Sequence, residues 1–219
     1  PAWAHAGGKK KLLARLDDAE HGPRIRAAIE RKLGKLDGGQ RLQIAGYSPE
    51  PGWAGRRLAE IARARKTEPL ALVLEMIRAG GASVVNHSID EGDVRVVMQL
   101  PWVATASDGG AKVPGPTVPH PRSYGTFPRK LGHYAHREGV ISLAHAVRSS
   151  TGLPADILGL GDRGYLRRGY FADVVVWDAG RITDTATFEK PHSYSEGIRH
   201  VFVNGRPALT NGTPTGYLA

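Results

Sequence analysis

A carboxylate followed by two glycines is the first feature of this sequence that could carry out chemistry. Asp108 stands in Ser107-Asp108-Gly109-Gly110, directly after the apolar run 102–106. At the end of a strand, such a carboxylate could bind a metal ion, accept a proton from an attacking water and pass it to a leaving amine. The same position suits a turn in which Asp108 accepts a hydrogen bond from Gly110. Both interpretations stay open at this point.

A long stretch rich in Gly and Pro follows Asp108 and carries an arginine suited to an anionic group. Arg122 stands in His120-Pro121-Arg122, and a guanidinium can bind a carboxylate through two parallel hydrogen bonds. An exposed loop arginine without a function would look the same. His120 could be a metal ligand or a base, but a lone loop histidine more often has a structural role.

The other histidines form weaker patterns. His133 and His136 have the spacing of two residues on one helix face, which could bind a metal, and His87 ends a predicted strand. Neither feature has a third ligand nearby in sequence, so a structural role is favoured for all three histidines. The chain contains 0 Cys, so a metal would be held by carboxylate, imidazole or a modified lysine.

The elements that would position Asp108 follow from apolar periodicity. Helices are predicted at 9–16, 23–36, 54–65, 68–79, 90–100 and 142–150, the last capped by Ser142. Strands are predicted at 41–47, 82–87 and 102–106. Strands separated by helices favour a parallel sheet, whose active sites lie at the carboxyl ends of the strands. The fold class is therefore α/β, either part of a β/α barrel or a small open sheet.

A different pattern begins near residue 161. Short apolar runs at 172–177, 198–203 and 207–210 alternate with tight turns at Asn204-Gly205 and Asn211-Gly212. Asn-Gly between such runs is a strong signal for a β-hairpin. We therefore divide the chain into domains at 1–160 and 161–219. The second domain has too few strands to close a sandwich, so we expect it to pair with strands from elsewhere.

The net charge of +9 raises the question of nucleic acid, which basic proteins bind through phosphates. The basic residues are scattered and lack interleaved aromatic residues, so we expect a solvated surface and no nucleic-acid partner. No apolar run is long enough to cross a bilayer, and the first residues do not resemble a signal peptide. We therefore expect no membrane partner and a cytoplasmic location.

The order of several motifs resembles one enzyme family. The motifs are HPRSYGTFPRKLGHY at 120–134, YFADVVVWD at 170–178 and GIRHVFVNG at 197–205, preceded by Asp108 and its apolar run. Together they resemble the C-terminal half of the D-aminoacylases, which are N-acyl-D-amino-acid deacylases of the amidohydrolase superfamily. The resemblance extends to the residues that follow Pro1.

This resemblance implies strands six to eight of a TIM-like barrel, with part of a small β-sandwich. It implies zinc-assisted hydrolysis of an N-acyl-D-amino acid, the small-molecule partner. By motif position, Asp108 would be a metal ligand and the general acid/base, and Arg122 would bind the α-carboxylate of the substrate. The family's other metal ligands would lie upstream of Pro1, so we expect this chain alone to bind zinc poorly. The missing N-terminal half could act as a companion chain.

Two other functions remain open. A related hydrolase of cyclic amides, of the dihydroorotase or hydantoinase kind, would share the fold, although Arg122 in its motif favours the deacylase. A non-catalytic binding or scaffold fragment is also compatible with the expected absence of metal ligands.

Overall fold

The structure, a computed structural model, describes residues 1–217. Its contacts divide the chain into two units, residues 1–88 with 114–119 and residues 89–113 with those from His120 onward. The α-helices are α1 (Ala2–His5), α2 (Gly8–Asp17), α3 (His21–Gly34), α4 (Leu58–Ala64), α5 (Pro69–Arg78), α6 (Glu91–Met98), α7 (Arg122–Pro128), α8 (Leu143–Arg148) and α9 (Gly152–Leu158). The strands are β1 (Leu42–Gly46), β2 (Ser83–Asn86), β3 (Val174–Trp177), β4 (Ile198–Val203), β5 (Arg206–Thr210) and β6 (Thr213–Pro214). Within residues 1–217, no helix is both long and apolar enough to span a membrane.

The first unit contains α1 to α5 with β1 and β2, close to the predicted helices and strands. Its core packs α3, α4 and α5 around β1, with Ile44, Leu58, Ile61 and Leu72 at 0 to 1% exposure. The spacing of these apolar residues predicted one buried face for each helix, and burial of those faces stabilises the unit.

The sheet of the first unit differs from the expectation. β1 pairs with β2 in the antiparallel direction, with Leu42 opposite Asn86 and Ile44 opposite Val84. The prediction of a parallel sheet was wrong for these strands. Parallel sheets are normally covered on both faces, whereas β2 buries Val85 and leaves its other residues exposed. The described residues accordingly form no closed barrel.

The second unit begins with α6 and then holds residues 99–113 without a regular element before α7. The predicted strand at 102–106 is wrong. A strand requires a partner for its backbone groups, and here the Thr105 amide donates instead to the Ser149 carbonyl, at 2.7 Å. Asp108 therefore lies on an irregular segment.

A helix that sequence reasoning missed follows this segment. α7 runs directly into a π-helical segment at Arg129–Arg137, so residues 122–137 form one continuous helical element. Gly125, Pro128 and Gly132 lower the helix propensity of this stretch and hide its pattern. The wide turn of the π-helix also shifts the buried residues away from the usual spacing.

The remainder of the second unit largely matches the expectation. Ser142 caps α8, as predicted, because its Oγ accepts a hydrogen bond from the His145 amide at 3.1 Å. The four strands form one antiparallel sheet in the order β3-β4-β5-β6. Both Asn-Gly turns adopt positive φ at each residue, with Asn204 at 51° and Gly205 at 78°.

Candidate active site

The two residues selected from the sequence lie side by side in the second unit. Arg122 Nη2 is 2.9 Å from Asp108 Oδ2, which is an ion pair. The Asp108 side chain is 84% exposed and that of Arg122 is 41% exposed. Both side chains are therefore accessible from the solvent.

The backbone around Asp108 is held in a tight turn. Asp108 has φ of 48°, in the left-handed region that Asp and Asn tolerate better than most residues. The Gly109 amide donates to Ser107 Oγ at 3.2 Å, so a serine and not the Asp108 carboxylate accepts the hydrogen bond of this turn. The Asp108 carboxylate is thereby directed to Arg122, and the turn-cap interpretation is not what the structure shows.

Gly109 brings this turn against the start of α7. A Cβ at Gly109 would lie 3.0 Å from Ser123 Cα and 3.1 Å from the Arg122 carbonyl oxygen, closer than ordinary contact. Glycine therefore permits the close approach of the two backbones. This approach sets how near Asp108 can come to Arg122.

Arg122 occupies the first position of α7, where its backbone amide needs an acceptor from outside the helix. That acceptor is His120 Nδ1, at 3.0 Å. The His120 ring also meets Phe188 edge-on, with 4.9 Å between ring centroids. These contacts support a structural role for His120, which orients the start of the helix.

A buried lysine lies behind the Asp108 segment. Lys130 is 2% exposed, and its Nζ donates to Thr105 Oγ1 and, at 2.6 Å, to Ser149 Oγ. Burial lowers the pKa of Lys130 from 10.5 to about 8, because the charged ammonium loses hydration. Sequence reasoning did not single out Lys130, since a lysine next to Arg129 looked like part of a charged surface.

Tyr124 connects two further segments of the second unit. Its hydroxyl lies 3.0 Å from the Lys112 carbonyl oxygen and 2.8 Å from His192 Nδ1. Its partial burial, followed by the nearby Tyr194, raises the pKa of Tyr124. Tyr124 therefore remains a neutral phenol near pH 7 and holds Lys112, four residues after Asp108, against the helix.

The other histidines take structural positions. His133 Nε2 lies 3.2 Å from Glu138 Oε1, whereas the His136 side chain is exposed. In the first unit, His87 Nε2 lies 3.0 Å from Gln43 Oε1. Within residues 1–217, no three His, Cys, Asp or Glu side chains converge to hold a metal ion. The residues that the structure describes therefore hold no complete zinc site.

Comparison with known sequences decides the family. A sequence model described as "Amidohydrolase family" matches residues 2–209, which is nearly the whole chain. The chain belongs to the amidohydrolase family. This membership agrees with the resemblance carried by the HPRSYGTFPR and ADVVVWD motifs.

Relatives within the amidohydrolase family share both sequence and structure with the chain. D-aminoacylase from Alcaligenes xylosoxydans xylosoxydans is 42% identical over 176 residues, which are 80% of this chain and 35% of the relative. A crystal structure of D-aminoacylase superposes with a TM-score of 0.74 at 38% identity, covering 83% of this chain and 37% of that one. N-acyl-D-glutamate deacylase from Bordetella bronchiseptica, solved with zinc and a phosphonate mimic of the tetrahedral intermediate, gives 0.71 at 31% identity, covering 83% and 38%.

The amidohydrolase chain spans about a third of the length of these relatives. The family and a mixed α/β structure that matches D-aminoacylase are therefore shown for this part of the protein.

Proposed function

We propose that the protein containing this chain hydrolyses N-acyl-D-amino acids to a carboxylate and a free D-amino acid. The observation that carries the proposal is the contact between Arg122 and Asp108, at 2.9 Å. It places the Asp108 carboxylate, which is suited to proton transfer, beside the Arg122 guanidinium, which is suited to binding a carboxylate. An N-acyl-amino acid needs both groups, because its amide lies next to its α-carboxylate. The matching relatives named D-aminoacylase and N-acyl-D-glutamate deacylase support this substrate class.

Asp108 serves as the general base and then the general acid. Hydrolysis adds water to the amide carbon and breaks the bond from this carbon to nitrogen. Asp108 takes a proton as the water attacks and delivers it to the leaving nitrogen, which departs as the amine of the D-amino acid. The high exposure of this carboxylate leaves one face open to water and substrate.

Arg122 binds the α-carboxylate of the substrate. Arg122 Nη2 contacts Asp108, and a guanidinium offers five N–H donors in a planar fork, which is enough to bind a second carboxylate as well. The position at the start of α7 and the hydrogen bond from its amide to His120 fix the base of the side chain. Recognition of the carboxylate also separates this substrate class from cyclic amides without that group, such as hydantoin and dihydrouracil.

Zinc is the proposed cofactor, because the N-acyl-D-glutamate deacylase relative was solved with it. When bound, zinc polarises the amide carbonyl and lowers the pKa of water. Asp108 is the residue of this chain that we propose as a ligand. The described residues do not by themselves make a complete zinc site.

The proposed architecture follows the same relatives. We propose that residues 1–160 are part of a β/α barrel and that residues 161–219 are part of a small β-sandwich. The antiparallel sheet of β3 to β6 supports the second assignment.

Asp108→Asn in the natural protein that contains this chain tests the function. Asparagine keeps the shape and tolerates the φ of 48°, but it cannot take the proton. We expect kcat for release of a D-amino acid from N-acetyl-D-leucine to fall by about 10²- to 10⁴-fold, with an unchanged circular dichroism spectrum. Unchanged turnover would contradict the role of Asp108.

Asp162→Asn is the matched control, because Asp162 is exposed in the loop after α9 and makes the same change of charge. It should leave kcat unaltered. Assays with hydantoin, dihydrouracil and N-acetyl-L-leucine separate the alternatives. Turnover of a cyclic amide without turnover of N-acyl-D-amino acids would contradict the proposed substrate class. If the zinc-loaded wild type hydrolyses none of these compounds, the result would favour a binding protein.

A further inference from the structure

The buried ammonium of Lys130 is costly for the fold. Among residues 1–217, Lys130 is the one Lys, Arg, Asp or Glu that is fully buried. Its hydrogen-bond partners are the hydroxyls of Thr105 and Ser149, not a carboxylate. A buried charge paired only with hydroxyls destabilises a fold compared with an apolar side chain of similar size. A role other than stability would account for a lysine here.

The partners of Lys130 tie down the irregular segment that carries Asp108. Lys130 donates to Thr105 Oγ1, and the Thr105 amide donates to the Ser149 carbonyl at 2.7 Å. Ser149 Oγ accepts from Lys130 and donates to the His145 carbonyl at 2.6 Å, at the end of α8. Thr105 is thus held through its backbone and through its side chain, three residues before Asp108.

The backbone of Lys130 belongs to the same helical element as Arg122. Lys130 lies in the helical element 122–137, whose first residue is Arg122. The contact between Gly109 and the backbone of Arg122 and Ser123 closes the loop on the far side of Asp108. Asp108 therefore lies between Thr105, which is bonded to Lys130 of this helix, and Gly109, whose backbone lies close against the start of the helix.

We propose that Lys130 is a positioning residue that holds Asp108 at a fixed distance from Arg122 by binding Thr105. Without this bond, residues 103–109 have no strand partners and keep the Val103 and Thr105 amide hydrogen bonds, the close approach of Gly109 and the exposed ion pair of Asp108. The carboxylate then samples a wider range of positions relative to the guanidinium. Lys130 itself touches neither substrate nor reacting atoms.

Hydrogen exchange at single amides measures how firmly the segment that carries Asp108 is held, and it does not depend on enzyme activity. In the natural protein we compare Lys130→Met, which removes the ammonium, with Thr105→Val, which removes the hydroxyl and keeps Lys130. We expect exchange at the amides of residues 105 and 109 to rise about tenfold in each variant, since each loses the partly buried hydrogen bond between Lys130 and residue 105. The Ser149 amide, which donates to the His145 carbonyl within α8, should exchange at its original rate. Thr105→Val decides the question if Lys130→Met does not fold.

Lys190→Met is the matched control, because Lys190 is an exposed lysine of the same unit. Unchanged exchange at the amide of residue 105 in Thr105→Val would overturn the proposal. An equal rise at every amide would also overturn it, because it would show a global effect on stability. The name of positioning residue rests on the proposed function of Asp108, so the same variants are assayed with N-acetyl-D-leucine. We expect a lower kcat with little change in KM. If the wild type has no such activity, the proposed function fails while the exchange data still test the tether.

Discussion

Arg122 Nη2 and Asp108 Oδ2 form an ion pair at 2.9 Å in which both side chains remain in contact with water. Exposed pairs of this kind contribute about 0 to 1 kcal/mol, because water and salt screen the attraction. The pair is therefore weak enough for a substrate carboxylate to compete with Asp108 for the guanidinium. If Arg122 binds the substrate carboxylate, as proposed, this change of partner would release the Asp108 carboxylate for its proposed role in proton transfer.

Substitution of Asp108 should distinguish its charge from its backbone conformation. We expect Asp108→Asn to change the free energy of unfolding by less than about 1 kcal/mol, because the lost ion pair is exposed and Asn tolerates positive φ. Asp108→Val should cost at least about 1 kcal/mol more, since a β-branched residue is strained at φ of 48°. Unfolding in urea measures both values. Equal stability of the two variants would show that the turn relaxes to another conformation.

Substitution of Arg122 should affect substrates that carry an α-carboxylate. We expect Arg122→Gln to raise KM for N-acetyl-D-leucine by about 10- to 100-fold, the effect of losing hydrogen bonds from a charged group. KM for N-acetyl-D-leucinamide, which lacks the carboxylate, should not change. Steady-state kinetics with both compounds provide the measurement.

Arg168→Gln serves as the control for this experiment. Arg168 is exposed between α9 and β3, and its loss changes the net charge by the same amount. If both arginine variants raise KM equally, the effect comes from the overall charge of the protein and not from a contact with Arg122.

Gly109 and Gly110 form a natural pair for a steric test. A Cβ at Gly109 would press on the backbone of Arg122 and Ser123, whereas a Cβ at Gly110 would meet nothing within 4 Å. Gly109→Ala should therefore move Asp108 away from Arg122 and lower kcat by about tenfold, since small misplacements of catalytic groups are costly. Gly110→Ala should leave kcat unchanged. A loss of the same size in both variants would point to flexibility of the loop as the cause.

Lys130 should make stability depend on pH in the alkaline range. The folded pKa of about 8 lies below the ordinary value of 10.5, so between these values the unfolded chain binds more protons than the folded one. The free energy of unfolding contributed by Lys130 therefore rises as the pH increases from about 8 to 10.5 and is constant below about 7. Urea unfolding of wild type and Lys130→Met across this range measures the difference. Parallel curves for the two proteins would show that Lys130 does not lose its proton in the fold.

The helices and hairpins of this chain could be predicted because each is determined by neighbouring residues. Helix α5 shows its apolar spacing directly, and the turn at Asn204-Gly205 has residues suited to its positive φ. Asp108 and Arg122 could be selected from their types and motifs, and the structure places them in contact.

The direction and pairing of strands could not be predicted in the same way. Residues 102–106 have a strand-like sequence, but a strand depends on a distant partner, and Thr105 finds Ser149 instead. Lys130 was missed for a related reason. Burial of a lysine is decided by the residues packed around it, which its own sequence neighbours do not reveal.

The contacts of Thr105 and Gly109 on either side of Asp108 limit where residues can be inserted or deleted in this part of the sequence. Thr105 is bonded to Lys130 and Gly109 lies close against the start of α7, so an inserted or deleted residue between them would displace the carboxylate. Residues 110 and 111, which lie between Gly109 and the contact of Lys112 with Tyr124, carry no such restriction. Insertions and deletions in homologous proteins should therefore occur after Gly109, where the loop can change length without moving Asp108 relative to Arg122.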